Sequence, residues 1–347
     1  MRTNKLTILL TALLSSALLV GLGAPGIKAQ GAPKYFDLKK APKPKITGAE
    51  IIAGLEEFVE EFPTRPTGTD LNAQAAEFLA AEAEKSGFKA NVLEVDTPNV
   101  RFPKVKVVET IKRGTTKPDE WIMFVAHYDT SLGSIPLSGG AATIQGAYDD
   151  GSGTNMIRFF AKAFKNIKTK RSIAIVWFDA EEQGLLASAA YADILAERKQ
   201  KVAGVLGFDM VGIGYPADYC ICLYHGALPE HQAVAVPILE YVNFDYLEFP
   251  RGDGEATATT DWPIGGTPHV CLCGPNVRNS DESNFAEMYP TFRWAGMRTA
   301  RDYPGYHQPW DTVPLMELVA GSREILEQGT ENTFLSAYYT AIVLDNL

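Results

Sequence analysis

Five short stretches of this chain concentrate imidazole and carboxylate side chains. They are Val125-Ala-His127-Tyr-Asp129, Gly146-Ala-Tyr-Asp149-Asp150-Gly-Ser-Gly153, Trp177-Phe-Asp179-Ala-Glu181-Glu182-Gln-Gly184, Phe208-Asp209-Met-Val-Gly212 and Tyr306-His307-Gln-Pro-Trp-Asp311-Thr312. Each has an ordinary use when taken singly. An Asp before a helix caps it, a Glu pair after a strand is a solvated turn, and a lone His is satisfied in the core. Together they point elsewhere. The chain has only 5 His, and two of them, His127 and His307, fall in these acidic stretches. Imidazole mixed with carboxylate suits hard and borderline divalent cations. Such a cation turns water into a nucleophile at neutral pH, which amide hydrolysis otherwise lacks.

The elements that must carry these groups alternate in type. Thr47-Gly-Ala-Glu50 reads as a capping box, followed by apolar residues at helical spacing from Ile51 to Phe62. Gly68 and Asn72 open a second predicted helix, Ala73 to Ser86, stopped by Gly87. Strands are predicted over Val105–Ile111, Trp121–Ala126, Ser172–Phe178 and Val202–Phe208, with helices over Thr154–Phe164 and Leu185–Lys199. Short buried strands alternating with helices indicate a single α/β domain, residues 47–347, whose mostly parallel, mixed sheet is flanked by helices on both faces. In such sheets functional groups gather at the carboxyl ends of strands, where the first four stretches fall.

The amino-terminal part differs. Arg2 and Lys5 precede an almost wholly apolar run, Leu6–Leu22, and a small-residue stretch ends at Ala29. This is the pattern of a cleavable export signal over residues 1–29. Residues 30–46 hold three Pro and five Lys without an apolar period and read as a linker or surface strap. The 347 residues are 46% hydrophobic and 21% charged, enough apolar content for a sizeable core. Net charge is −10, and −13 once residues 1–29 are removed, which argues against nucleic acid or an anionic membrane surface as partner. Beyond the leader nothing reaches the length of a membrane span, so no stable membrane insertion of the mature chain is expected.

The motifs His127-Tyr-Asp129, Asp149-Asp150-Gly-Ser-Gly153, Glu181-Glu182-Gln-Gly-Leu185, Asp209-Met210 and Tyr306-His307 resemble the metal-binding series of metallopeptidase family 28, the co-catalytic dizinc aminopeptidases. All five ligand positions are filled in the family's order, and the likeness runs from about Glu50 to the carboxyl terminus. The resemblance implies a zinc-exopeptidase fold and two Zn²⁺ ions. Asp149 would bridge them, His127 and Asp209 would complete one site, and Glu182 and His307 the other. A water or hydroxide would lie between the metals with Glu181 as general base. Asp129 would orient His127, either at its far ring nitrogen or through the local backbone. The resemblance also makes Asp149–Asp150 a candidate cis peptide. Adjacent Glu181 and Glu182 can hold different tasks because neighbouring side chains in extended backbone point to opposite sides.

Other stretches depart from the family or stay open. Thr260-Asp261-Trp262-Pro263-Ile264 resembles the family's pocket-lining Ser-Asp-His-x-Pro-Phe stretch but is one residue shorter. Ser131–Gln145 and Asn276–Gly305 read as long loops near the site, the second carrying Tyr289, Phe292, Trp294 and Tyr303 as candidate pocket residues. Tyr224, Tyr246 and Tyr306 are candidates for the Tyr that stabilises the oxyanion in some members. Cys220-Ile-Cys222 and Cys271-Leu-Cys273 alternate within strand-like stretches, compatible with disulfides, a metal site or small buried hydrophobes. His225, His231 and His269 read as structural. The expected function is an exported, zinc-dependent aminopeptidase acting on peptides with a free amino terminus. A glutaminyl-peptide cyclotransferase and a non-catalytic peptidase-like binding protein are the alternatives. An intact Glu181 argues against a mere binder, and Asp150 stands where cyclases typically carry Ser. The sequence leaves the oligomeric state open.

Overall fold

The computed structural model describes residues 37–132, 144–215, 219–226, 229–247, 267–275, 280–297 and 300–347. The export-signal segment and residues 30–36 of the linker lie outside them. The described elements, in chain order, are α1 (Gly48–Glu61), α2 (Asp70–Lys85), β1 (Lys89–Asp96), β2 (Lys104–Lys112), β3 (Lys117–His127), α3 (Ser152–Phe164), β4 (Arg171–Phe178), α4 (Leu186–Glu197) and β5 (Lys201–Phe208). Then follow β6 (Cys220–His225), α5 (Pro229–Glu240), β7 (His269–Pro275), β8 (Thr291–Ala295), α6 (Val313–Ala320) and α7 (Arg323–Asn346).

The strands form one sheet in the order β1-β2-β4-β3-β5-β8-β6-β7. Its centre is parallel, with β3 between β4 and β5 and β8 beyond β5. β6 and β7 pair in parallel, while β1–β2, β2–β4 and β6–β8 are antiparallel. The sheet is therefore mixed and mostly parallel, as the alternation predicts.

Period-two alternation sends successive side chains to opposite faces. On one face Met123, Val125, Val176 and Phe178 pack with Tyr191 and Leu195 of α4. On the other, Phe124 stacks on Phe160 of α3 at 4.4 Å, and Phe160 stacks on Phe334 of α7 at 4.6 Å. Every residue of β4 is buried, so it reads in the sequence as a continuous apolar run. Trp177, on the α3 face, donates its indole N–H to the Thr154 carbonyl.

The Thr47–Glu50 capping box is present at the start of α1. The second helix begins earlier than predicted. Thr69 caps it by accepting from the Asn72 N–H, and Gly68, at φ +83°, makes the preceding turn. Two readings are corrected. Asn276–Gly305 is not one long loop, because it holds a short 3₁₀ turn (Asp281–Phe285) and β8. Its aromatics are core residues more than pocket lining. Trp294 stacks on Phe208 at 5.2 Å and donates to Ser336, Phe292 is buried, and Tyr303 packs on Tyr148 at 4.5 Å. A five-residue strand buried on both sides shows too little period to be told from loop. The four cysteines pair as Cys220–Cys271 and Cys222–Cys273, joining β6 to β7.

Phe160 makes the face-to-face contacts that join the sheet to α3 and α7, and it is fully buried. Phe160→Ala should cost about 3–5 kcal/mol in denaturant unfolding, whereas Val100→Ala, 98% exposed, should stay within about 0.5 kcal/mol.

Candidate metal centre

The site forms where three strands of the parallel centre end. His127 is the last residue of β3, Asp179 follows β4, and Asp209 follows β5. The backbone turns sharply at these places. Ala180, Met210 and His307 occupy left-handed conformations (φ +58°, +55° and +55°), which cost an L-residue about 1–2 kcal/mol. That cost is tolerated only where the surroundings enforce it, and here it aims the neighbouring carboxylates inward.

Asp149 lies at the centre. Its Oδ1 is 3.4 Å from His127 Nε2 and its Oδ2 is 3.3 Å from His307 Nε2. His307 Nε2 is also 2.9 Å from Glu182 Oε2, and His127 Nε2 is 4.0 Å from Glu181 Oε2. Two sets of donor atoms result, each within 4.8 Å: His127 with Glu181 and Asp209, and Asp149 with Glu182 and His307. Asp149 touches both sets. The residues expected to act as ligands therefore converge, and Glu181 stands beside the first set.

Asp129 holds the geometry behind them. Its carboxylate accepts from the backbone N–H of Glu181 at 3.1 Å and of Glu182 at 3.3 Å. It also lies 3.4 Å from His127 Nδ1, and its carbonyl oxygen is 3.2 Å from the same nitrogen. The two arrangements expected for Asp129 are thus both present. The Asp149–Asp150 bond is cis. Asp150, fully buried, accepts from Gly153 N at 2.8 Å and Met210 N at 3.1 Å, tying the turn before α3 to the turn after β5. A Cβ at Gly153 would meet the Asp150 carboxylate at 2.4 and 2.6 Å, so the motif requires glycine there.

Two supporting residues, Asp311 and Arg65, have roles that the sequence does not assign. Asp311 accepts from the backbone N–H groups of Tyr148 and Asp149, each at 3.0 Å, and from the Tyr303 hydroxyl at 3.0 Å. Arg65, fully buried, donates to the carbonyls of Tyr128, Phe62, Gln145 and Gly146. Thr260–Ile264 lies outside the described residues. The spacing Ser-Asp-x-x-x-Phe is met in full at Ser280-Asp281-Glu282-Ser283-Asn284-Phe285, a turn packed on α4 and on the ends of β5 and β8. Replacement of the pattern's His and Pro by Glu282 and Asn284 hides it in the sequence. Among the oxyanion candidates, Tyr306 stacks on the His307 ring at 3.8 Å, whereas Tyr246 packs on Tyr241 and Tyr339.

The electrostatics are those of a site short of positive charge. Burial pushes Glu181 well above the usual carboxylate range and Glu182 up to about 7, the Asp149 charge adding to the second. Burial opposes the imidazolium of His127, but Glu181, Asp129 and Asp149 outweigh it and hold its pKa well above normal. His307 is raised to about 10 by Asp149 and Glu182 against the same opposition. Three buried atoms of the set, His127 Nε2, Asp149 Oδ2 and Glu182 Oε1, have no hydrogen-bond partner. Unpartnered donor atoms of these types, converging from several chain segments, fit divalent cations.

Fold and site together describe an α/β protein with side chains able to hold a divalent cation at the carboxyl ends of its strands. The description of peptidase family M28 matches residues 106–261 of the chain. Aminopeptidase YwaD of Bacillus subtilis is 25% identical over 275 residues, 78% of this chain and 49% of that protein. The chain thus spans about half the length of that curated relative. Among solved structures, LapA from Legionella pneumophila superposes with a TM-score of 0.63 at 22% identity, covering 87% of this chain and 74% of that one. A glutaminyl cyclase from Tannerella forsythia superposes at 0.61 with 18% identity, covering 88% and 100%. These likenesses show a shared fold.

Chelation of divalent cations should lower the melting temperature by about 5 °C or more, because a cation at 100 times its Kd contributes about 2.7 kcal/mol. Scanning fluorimetry with and without chelator checks this, and an unchanged midpoint contradicts it. His307, raised to about 10, carries a proton at pH 7 before loading, and the carboxylates around His127 favour its protonated form too. Loading should therefore release protons, read by calorimetry in buffers of different protonation enthalpy.

Proposed function

We propose that this chain is an exported zinc-dependent exopeptidase, an aminopeptidase that removes residues from the free amino end of peptides. The observation that carries this reading is the convergence of His127, Asp209, Glu182 and His307 on Asp149, with Glu181 beside the same centre. The match of residues 106–261 to a peptidase family and the likeness to an aminopeptidase support it. The excess of carboxylates at the site suits a cationic substrate amine, and the paired cysteines suit an oxidising compartment outside the cytosol.

Asp149 would be shared by two Zn²⁺ ions, one completed by His127 and Asp209 and the other by Glu182 and His307. Bound zinc supplies an acidified water, its pKa lowered from about 15.7 to about 7, and polarises the scissile carbonyl. The chain's own groups do the rest. Glu181, desolvated and basic for a carboxylate, takes the proton of the attacking water and passes it to the leaving amine. Asp129 fixes the Glu181 backbone and the His127 ring, so the base stays aimed while the proton moves. Tyr306 donates to the developing oxyanion. Burial and the neighbouring carboxylates raise its pKa, so it remains a protonated donor at neutral pH.

Glu181→Gln should retain bound metal and lose about 10²–10⁴-fold in kcat, and Tyr306→Phe should lose about 10²–10³-fold. Glu182→Gln should lose metal, measured by elemental analysis of the dialysed protein. Three substrates separate the readings: an amino-acid anilide, an N-blocked anilide and a glutaminyl peptide, each with added zinc. Cleavage that depends on a free amine is expected. Pyroglutamyl product would select a cyclase instead, and silence on all three a binding role.

A further inference from the structure

Asp209 is held by a cation from the chain itself. The Arg293 guanidinium donates from Nη2 to Asp209 Oδ2 at 3.0 Å, and both side chains are buried. Arg293 lies in β8, in register with Gly207 of the neighbouring parallel strand β5, two residues before Asp209. On its other side, Arg293 Nε stands 3.9 Å from Glu282 Oε1. Glu282 reaches this place only because residue 207 lacks a side chain, since a Cβ there would meet Glu282 Cβ at 2.8 Å and Oε2 at 2.9 Å. Three elements, β5, β8 and the 3₁₀ turn at Asp281–Phe285, thus build a buried carboxylate–guanidinium–carboxylate row that ends on one metal-facing group.

We propose that Arg293 is a positioning residue for the cation site of His127 and Asp209, occupying one Asp209 oxygen so that the other is presented to the metal in a single orientation. This inference rests on the metallopeptidase reading above and adds an asymmetry to it. In the other set the ion-pair partners of Asp149 and Glu182 are imidazoles, themselves ligands that would turn to the metal. The guanidinium cannot do so, because it has no lone pair to offer and keeps its charge at any working pH. Its grip on Asp209 therefore persists when the cation arrives. A planar fork shared between two carboxylates fixes direction as well as distance, which a lysine ammonium does not. One cation equivalent thus depends on Arg293 and the other does not. Glu282 balances the charge, keeping the Asp209 carboxylate from being neutralised outright.

Calorimetric titration of the metal-free, full-length chain with Zn²⁺ tests this. In Arg293→Met one equivalent should bind as in the unaltered protein and the other about 10–100-fold more weakly, the range for losing a group that orients a metal ligand. Arg293→Lys keeps the charge and folding but not the fork, and should weaken the same equivalent by about 10-fold. If Arg293→Met does not fold, judged by circular dichroism, Arg293→Lys carries the test. Two equivalents as tight as in the unaltered protein would overturn the proposal. So would equal weakening of both, since general loosening of the fold does not choose between them. An unaltered chain that binds no Zn²⁺ would instead defeat the metallopeptidase reading itself.

Discussion

The structure turns on a concentration of negative charge where water is scarce. Asp149, Glu181, Glu182 and Asp209 converge with two imidazoles in a place where most of these groups are buried or nearly so. Each desolvated carboxylate is costly unless a cation or a set of donors compensates it. The fold answers in two ways. Protonated imidazoles pair with the carboxylates in the metal-free chain, and permanent donors lie behind the cluster. On the proposed reading the same imidazoles would release their protons and turn to a metal, so that proton and cation compete for the site.

The permanent donors explain much of the local architecture. Arg65 binds three backbone carbonyls around the turns after β3 and before Asp149, and a fourth at the end of α1. Burial lowers its pKa only to about 10, so it remains charged. Asp311, on the segment that also carries His307, takes two backbone N–H groups beside the central carboxylate. Asp129 does the same for Glu181 and Glu182. In each case a buried side chain satisfies main-chain groups that no ladder or helix reaches, which sharp turns into the site would otherwise leave unpaired. Left-handed residues at Ala180, Met210 and His307 are the conformational counterpart of those bonds.

How far the site was legible in sequence depended on how local its signal is. Asp149-Asp150-Gly-Ser-Gly153 is readable because one short segment contains both the central carboxylate and its support. Asp150 bonds the helix start, and Gly153 clears room for it. The spacing at Ser280–Phe285 is hard to see in sequence because Glu282 and Asn284 stand where the pattern has His and Pro. Arg293 carried no local signal, since its partner Asp209 is 84 residues away and a lone Arg in an apolar strand has no period. Helix α7 was also unread. Its buried face includes Thr333, Ser336 and Thr340, whose hydroxyls bond back to carbonyls of their own helix and so pass as core without looking apolar.

The amino-acid sequence by itself determined the alternation of strands and helices, the capping of α1, the segments that carry the converging carboxylates and imidazoles, and the resemblance to a peptidase family. Those features are written in periods and motifs a few residues long. Only the tertiary structure decided that Asp149 faces both His127 and His307, that the cysteines pair between β6 and β7, that Phe292 and Trp294 are core, and that Arg293 holds Asp209. The physical reason is range. Periodicity reports which face of an element is buried, but coordination and charge pairing depend on distances between segments, and those are set by strand order and register.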